Sequence, residues 1–108
     1  MDLSGESIFV ERNPKETIVT FMDSHILHPE QVQQLKESVM ELIEQAWTEK
    51  FTLDFSNVRN LSSSVLGLLL VIRKKIVEEK GRLQLRNMTS EVREVFRVTN
   101  MTKIFEII

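Results

Sequence analysis

The chain has 108 residues, 42% apolar and 28% charged, which is enough for one hydrophobic core and has the balance of a soluble globular protein. Its net charge of -2, with basic and acidic residues interleaved, excludes the basic face that nucleic-acid phosphates require. The absence of cysteine excludes disulfides, thiolate zinc sites and thiol catalysis.

Two short runs open the pattern. Ile8-Phe9-Val10 and Thr17-Ile18-Val19-Thr20-Phe21 read as strands, and Arg12-Asn13-Pro14-Lys15-Glu16 between them has turn chemistry, so the pair is expected to form a hairpin. From Pro29 the period lengthens. Val32, Leu35, Val39, Leu42, Ile43 and Ala46 recur at steps of three and four, the buried stripe of an amphipathic helix, and Pro29 suits its first position. Trp47 lies beside that stripe as a core edge.

Phe51 to Phe55 alternates as a strand, with Phe51, Leu53 and Phe55 on one side. A polar connection then leads to three consecutive hydroxyls, Ser62, Ser63 and Ser64, before a helix expected from Val65 to about Glu79. One N-cap position takes one side chain, which accepts a free N–H of the first turn. The other two hydroxyls are surplus to capping and point to a loop, a partner or solvent.

That helix has a wide apolar arc. Leu66, Leu69, Leu70 and Val77 share one direction, and Val65, Leu68, Ile72 and Ile76 the adjacent one. Two arrangements fit: both directions are buried between a sheet and a neighbouring helix, or part of the Val65, Leu68 and Ile72 direction stays at the surface as an interaction patch.

Lys80-Gly81 closes the helix, with the glycine expected to be the left-handed residue. Arg82 to Arg86 alternates as a strand. Thr89 or Ser90 can cap a short helix carrying Val92, Val95 and Phe96, Asn100 is placed to end it, and Ile104 to Ile108 is a last apolar run. The order is ββαβαβαβ. Right-handed crossovers then give an α/β fold, a mixed sheet with an N-terminal antiparallel hairpin followed by parallel strands joined by helices, in one domain over residues 1–108.

No apolar run reaches the length of a membrane span, and Met1-Asp2-Leu3-Ser4 lacks a cationic start followed by an apolar segment, so a cytoplasmic protein is expected. Enzyme chemistry finds little support. The only imidazoles, His25 and His28, precede the first helix, Gly-x-Ser-x-Gly is absent, and Gly5, Gly67 and Gly81 are isolated rather than grouped in a phosphate-binding loop. No cofactor or metal is expected.

The run Ser62-Ser63-Ser64-Val65-Leu66-Gly67 resembles the central motif of the STAS domain family, the module of sulfate transporters and anti-sigma-factor antagonists. In that family the motif is acidic residue, serine, serine or threonine, glycine, leucine, glycine at a strand-to-helix junction. The flanks are similar in the same register: Leu53-Asp54-Phe55-Ser56-Asn57-Val58, Lys80 to Leu85, and Asn87 to Arg93 followed by Thr99 to Phe105. The resemblance implies a STAS-like fold and a cycle of partner exchange. The unmodified domain binds a kinase-type anti-sigma factor, the kinase phosphorylates a serine, and a phosphatase reverses it. Carried over by position, the phosphorylated residue is Ser63, with Ser64 as the alternative. The implied partner surface comprises Ser62, Ser63, Ser64, Val65, Leu68 and Ile72, with Asp54 as a carboxylate near the loop and His28 at a loop position that is often acidic in relatives. Ser62 stands where the family usually has aspartate and Val65 where it usually has glycine, and the chain stops at its last strand where many relatives carry a terminal helix. The competing reading is a scaffold or adaptor subunit of a signalling or lipid-transport assembly that is not phosphorylated.

Overall fold

The computed structural model describes residues 7–108; Met1 to Ser4 and Gly5 lie outside the described residues. The hairpin forms as expected from β1 (Ile8–Arg12) and β2 (Glu16–Phe21), which pair antiparallel with Val10 opposite Val19. Its turn is held by the Asn13 side chain, whose Oδ1 accepts the N–H groups of Lys15 at 2.8 Å and Glu16 at 2.9 Å.

After β3 (His25–Ile26) come α1 (Pro29–Gln45), β4 (Lys50–Asp54), β5 (Asn60–Leu61), α2 (Ser63–Glu78), β6 (Arg82–Arg86), α3 (Ser90–Val98), a 3₁₀ turn at Met101–Lys103 and β7 (Glu106–Ile107). The main sheet has the order β1-β2-β4-β6-β7, antiparallel at the first pair and parallel thereafter. Each crossover steps the same way across this sheet, so right-handed connections set the helices over one face. The sheet residues turned to that face, among them Val19, Phe21, Phe51, Leu53, Leu83 and Leu85, are buried with Val32, Leu35, Val39 and Ile43 of α1 and Leu66, Leu69 and Ile76 of α2. The other face is a polar ladder in which Thr52 donates to Glu16 at 2.7 Å and Gln84 to Glu106 at 2.7 Å.

Helix ends follow the sequence with one exchange of roles. Thr89 caps α3, its Oγ1 accepting from Val92 N–H at 3.3 Å, and Asn100 is left-handed at φ 61° as expected. At the end of α2, however, Lys80 takes the left-handed conformation at φ 65°, and Gly81 does not. Lys80 N–H bonds Val77 O and Gly81 N–H bonds Ile76 O, a Schellman closure that puts Gly81 one position beyond the left-handed residue. Glycine is needed there for space. A Cβ would sit 2.6 Å from Trp47 Cη2, because the indole, which also meets the Phe51 ring at a centroid distance of 5.5 Å, lies against Gly81.

Candidate functional site: a serine pair at the head of α2

Two two-residue strands, not foreseen from the sequence, position the serines. β3 pairs in parallel with β5, His25 opposite Asn60 and Ile26 opposite Leu61. Ser62 N–H donates to Ile26 O at 3.0 Å, and the His25 and Asn60 side chains hydrogen-bond at 2.9 Å. Gln31 in the first turn of α1 fixes the preceding loop: its amide donates to Asp23 and to His25 O, and its oxygen accepts from Leu27 N–H. The bond from Ser62 N–H to Ile26 O ties the head of α2 to the segment that leads into α1, and the two helices pack against each other.

Helix α2 begins two residues earlier than expected. Ser62 is its N-cap residue, with φ -85° and ψ 164°, and Ser63 and Ser64 are its first two helical residues. Both are exposed. Among the described residues neither hydroxyl has a hydrogen-bond partner. The N-cap side chain departs from the expected chemistry: Ser62 makes no capping bond, and its Oγ is buried without a partner. An N-cap serine replaced by alanine ordinarily costs about 0.5–2 kcal/mol. With no bond to lose and an unpaired buried oxygen removed, Ser62→Ala is expected to change stability by less than about 0.5 kcal/mol in urea unfolding. A loss above about 1 kcal/mol would show that this hydroxyl caps the helix.

Three of the residues assigned to the partner surface do not reach it. Val65, Leu68 and Ile72 are 1%, 3% and 0% exposed, because their direction on α2 faces the sheet and α1. The buried arrangement of both apolar directions therefore holds. Leu70 and Val77 are the exceptions: Leu70 is only partly buried at the edge of the core, and Val77 in the last turn is exposed. Asp54 is also withdrawn from any surface role. It is buried, and its carboxylate accepts from Arg86 Nε at 2.8 Å, Asn87 Nδ2 at 2.9 Å and Ser56 N–H at 2.8 Å. Burial alone would raise its carboxyl pKa, but these hydrogen bonds from Arg86, Ser56 and Asn87 outweigh it and hold the group below the usual carboxylate range. The carboxylate thus braces the strand end that leads to the serines. His28 is exposed at the N-cap of α1.

The exposed face of α2 belongs to other residues. Ser63, Gly67, Leu70, Val71 and Lys74 share one direction at 3.6 residues per turn, with Val71 42% exposed and Leu27 46% exposed near the helix start. From Ser62 to Ile72 no residue is charged. Ser63 stands at the head of a partly apolar stripe that carries no charge until Lys74. The signal was present in the sequence: projecting the helix from Ser63 instead of Val65 puts the serine and Gly67 in line and separates Val71 from the buried set. Among the described residues no cluster of His, Asp and Glu could hold a metal ion, and no helix is long and apolar enough to cross a membrane.

The same fold is seen in solved anti-sigma-factor antagonists. The antagonist (STAS) domain protein of Planctomyces limnophilus superposes with a TM-score of 0.80 at 22% identity, covering 94% of this chain and 87% of that one. The Bacillus cell-fate determinant SpoIIAA, solved in unphosphorylated and phosphorylated forms, superposes at 0.70 with 19% identity over 94% of this chain and 86% and 90% of those chains. The chain belongs to the STAS domain family: the family model described as Mlab, STAS domain matches residues 24–107. A STAS-domain containing protein of Pseudomonas aeruginosa (strain UCBPP-PA14) is 33% identical over 58 residues, 54% of this chain and 57% of that relative's length. This chain thus matches little more than half of the curated relative.

Proposed function

We propose that this chain is an anti-sigma-factor antagonist, a cytoplasmic partner-switching regulator that acts as one domain over residues 1–108. Its unphosphorylated form binds a serine-kinase anti-sigma factor, the kinase phosphorylates Ser63, and the phosphate turns binding off until a phosphatase removes it. The observation that carries this reading is the position of Ser63: exposed, in the first turn of α2, at the head of a face that carries no charge before Lys74. The likeness in fold to SpoIIAA, a protein known in both states of phosphorylation, supports it. A helix N-terminus accepts added negative charge through its free N–H groups and dipole, so the modified chain keeps its fold while its partner meets charge and bulk.

Incubation with ATP and the serine-kinase anti-sigma factors of the same genome, followed by peptide mass spectrometry, tests the assignment. One phosphate on Ser63, lost in Ser63→Ala, is expected. A phosphate confined to Ser64 would move the switch by one residue. No phosphate, under conditions in which those kinases modify another substrate, would favour the second reading, a scaffold or adaptor subunit of a signalling or lipid-transport assembly. The observation on that side is Ser62 and Val65 standing where relatives usually have aspartate and glycine.

A further inference from the structure

Gly67 lies inside α2, where glycine is less stable than alanine because the unfolded backbone has more freedom to lose. A helical glycine is usually retained for a positive φ or for the close approach of a neighbouring group. Neither applies. Among the described residues no glycine has a positive φ, and a Cβ built on Gly67 meets nothing within 4 Å. Gly81, by contrast, is pressed against the indole of Trp47. The fold therefore gives no reason for Gly67, but its place on α2 does. It is exposed one turn beyond Ser63, beside Leu70 and Val71, within the run from Ser62 to Ile72 that carries no charge.

We propose that Gly67 is a specificity-determining position of the partner interface: the missing side chain leaves a shallow notch in which an apolar side chain of the anti-sigma partner contacts the α2 backbone. On α2 the side chains within one turn of Gly67 on this face, Ser63, Ser64, Leu70 and Val71, carry no charge, and this sets the chemistry of the occupant, since a charged group seated there would lose its water without gaining a counterion. The inference rests on the regulator reading and adds to it a second determinant that acts through shape.

Two measurements on the full chain test it. Gly67→Ala is expected to raise the Tm by roughly 3–6 °C, the size of a helical glycine-to-alanine gain in a chain of this length. A fall in Tm would show that the fold itself needs the glycine and would overturn the proposal. The second measurement titrates wild type, Gly67→Ala and Gly67→Leu against the purified serine-kinase anti-sigma factors of the same genome. About tenfold weaker binding for the alanine form and a larger loss for the leucine form are expected, with unchanged circular dichroism in both. Wild-type affinity in Gly67→Leu for a kinase that does bind would remove the notch and leave the regulator reading standing. Failure of the wild type to bind any of these kinases would sink that reading, and the notch with it.

Discussion

Phe55→Ala is expected to lower the free energy of unfolding by about 3–5 kcal/mol, a large fraction of the roughly 5–15 kcal/mol that holds a domain folded. Phe55 is fully buried just after β4, where the chain leaves the sheet for the serines. Its ring meets Phe21 edge-on at 5.1 Å and Phe96 at 6.3 Å, and Phe96 meets Phe105 at 5.9 Å, so four rings run from β2 through the strand end to α3 and the last turn. Truncation removes the burial of one ring, two edge-on pairs and the filling of a site that the stiff sheet beneath cannot collapse. The midpoint of urea unfolding should fall while the slope stays constant. A loss under about 1.5 kcal/mol would mean that the site closes around the smaller side chain and that the aromatic chain is not what anchors the loop.

The parts of this architecture that were legible in the sequence are those in which one short stretch carries the whole signal. Asn13-Pro14 between alternating runs gave the hairpin, the stripe from Val32 to Ile43 gave α1, and Asn100 gave the end of α3. What escaped depends on residues far apart in the chain. The β3–β5 pair is two residues long on each side, too short to show a period, and exists because Ile26 and Leu61 meet in space. Gly81 carried a glycine signal whose cause is Trp47, not backbone handedness. Asp54 read as a carboxylate near the serine loop because Arg86 and Asn87, which bind it, lie on the neighbouring strand β6 and just beyond it.

The site shows the same division. Three serines before an apolar run announced the start of α2, but which hydroxyls face outward depends on where the first helical turn begins. With Ser63 as its first helical residue, α2 carries that serine in line with Gly67, Leu70 and Val71, while Val65, Leu68 and Ile72 face inward. Size alone could not separate these leucines and valines, since both sets are apolar. The sheet and α1 decide, by taking the side that packs against them.

Ser63→Asp is expected to weaken binding of the kinase-type partner by about 100-fold or more while leaving the Tm unchanged or slightly raised. The two effects have opposite causes at one position. At the first residue of α2 a carboxylate lies near free N–H groups and the positive end of the helix dipole, a contribution of about 0.3–1 kcal/mol in favour of the folded chain. In a complex the same carboxylate would be covered by a surface matched to an uncharged helix head, and an unpaired buried charge costs about 3–5 kcal/mol, which at about 1.4 kcal/mol per decade corresponds to roughly two to three and a half orders of magnitude in affinity. Ser63→Ala keeps the neutral face and should bind within a few-fold of wild type while resisting inactivation by the kinase. Calorimetric titration of the three proteins against one partner, with thermal unfolding alongside, separates the possibilities. Equal affinities for wild type and Ser63→Asp would place the interface away from the head of α2, and a large drop in Tm for the aspartate form would mean that the charge acts on the fold instead of on the partner.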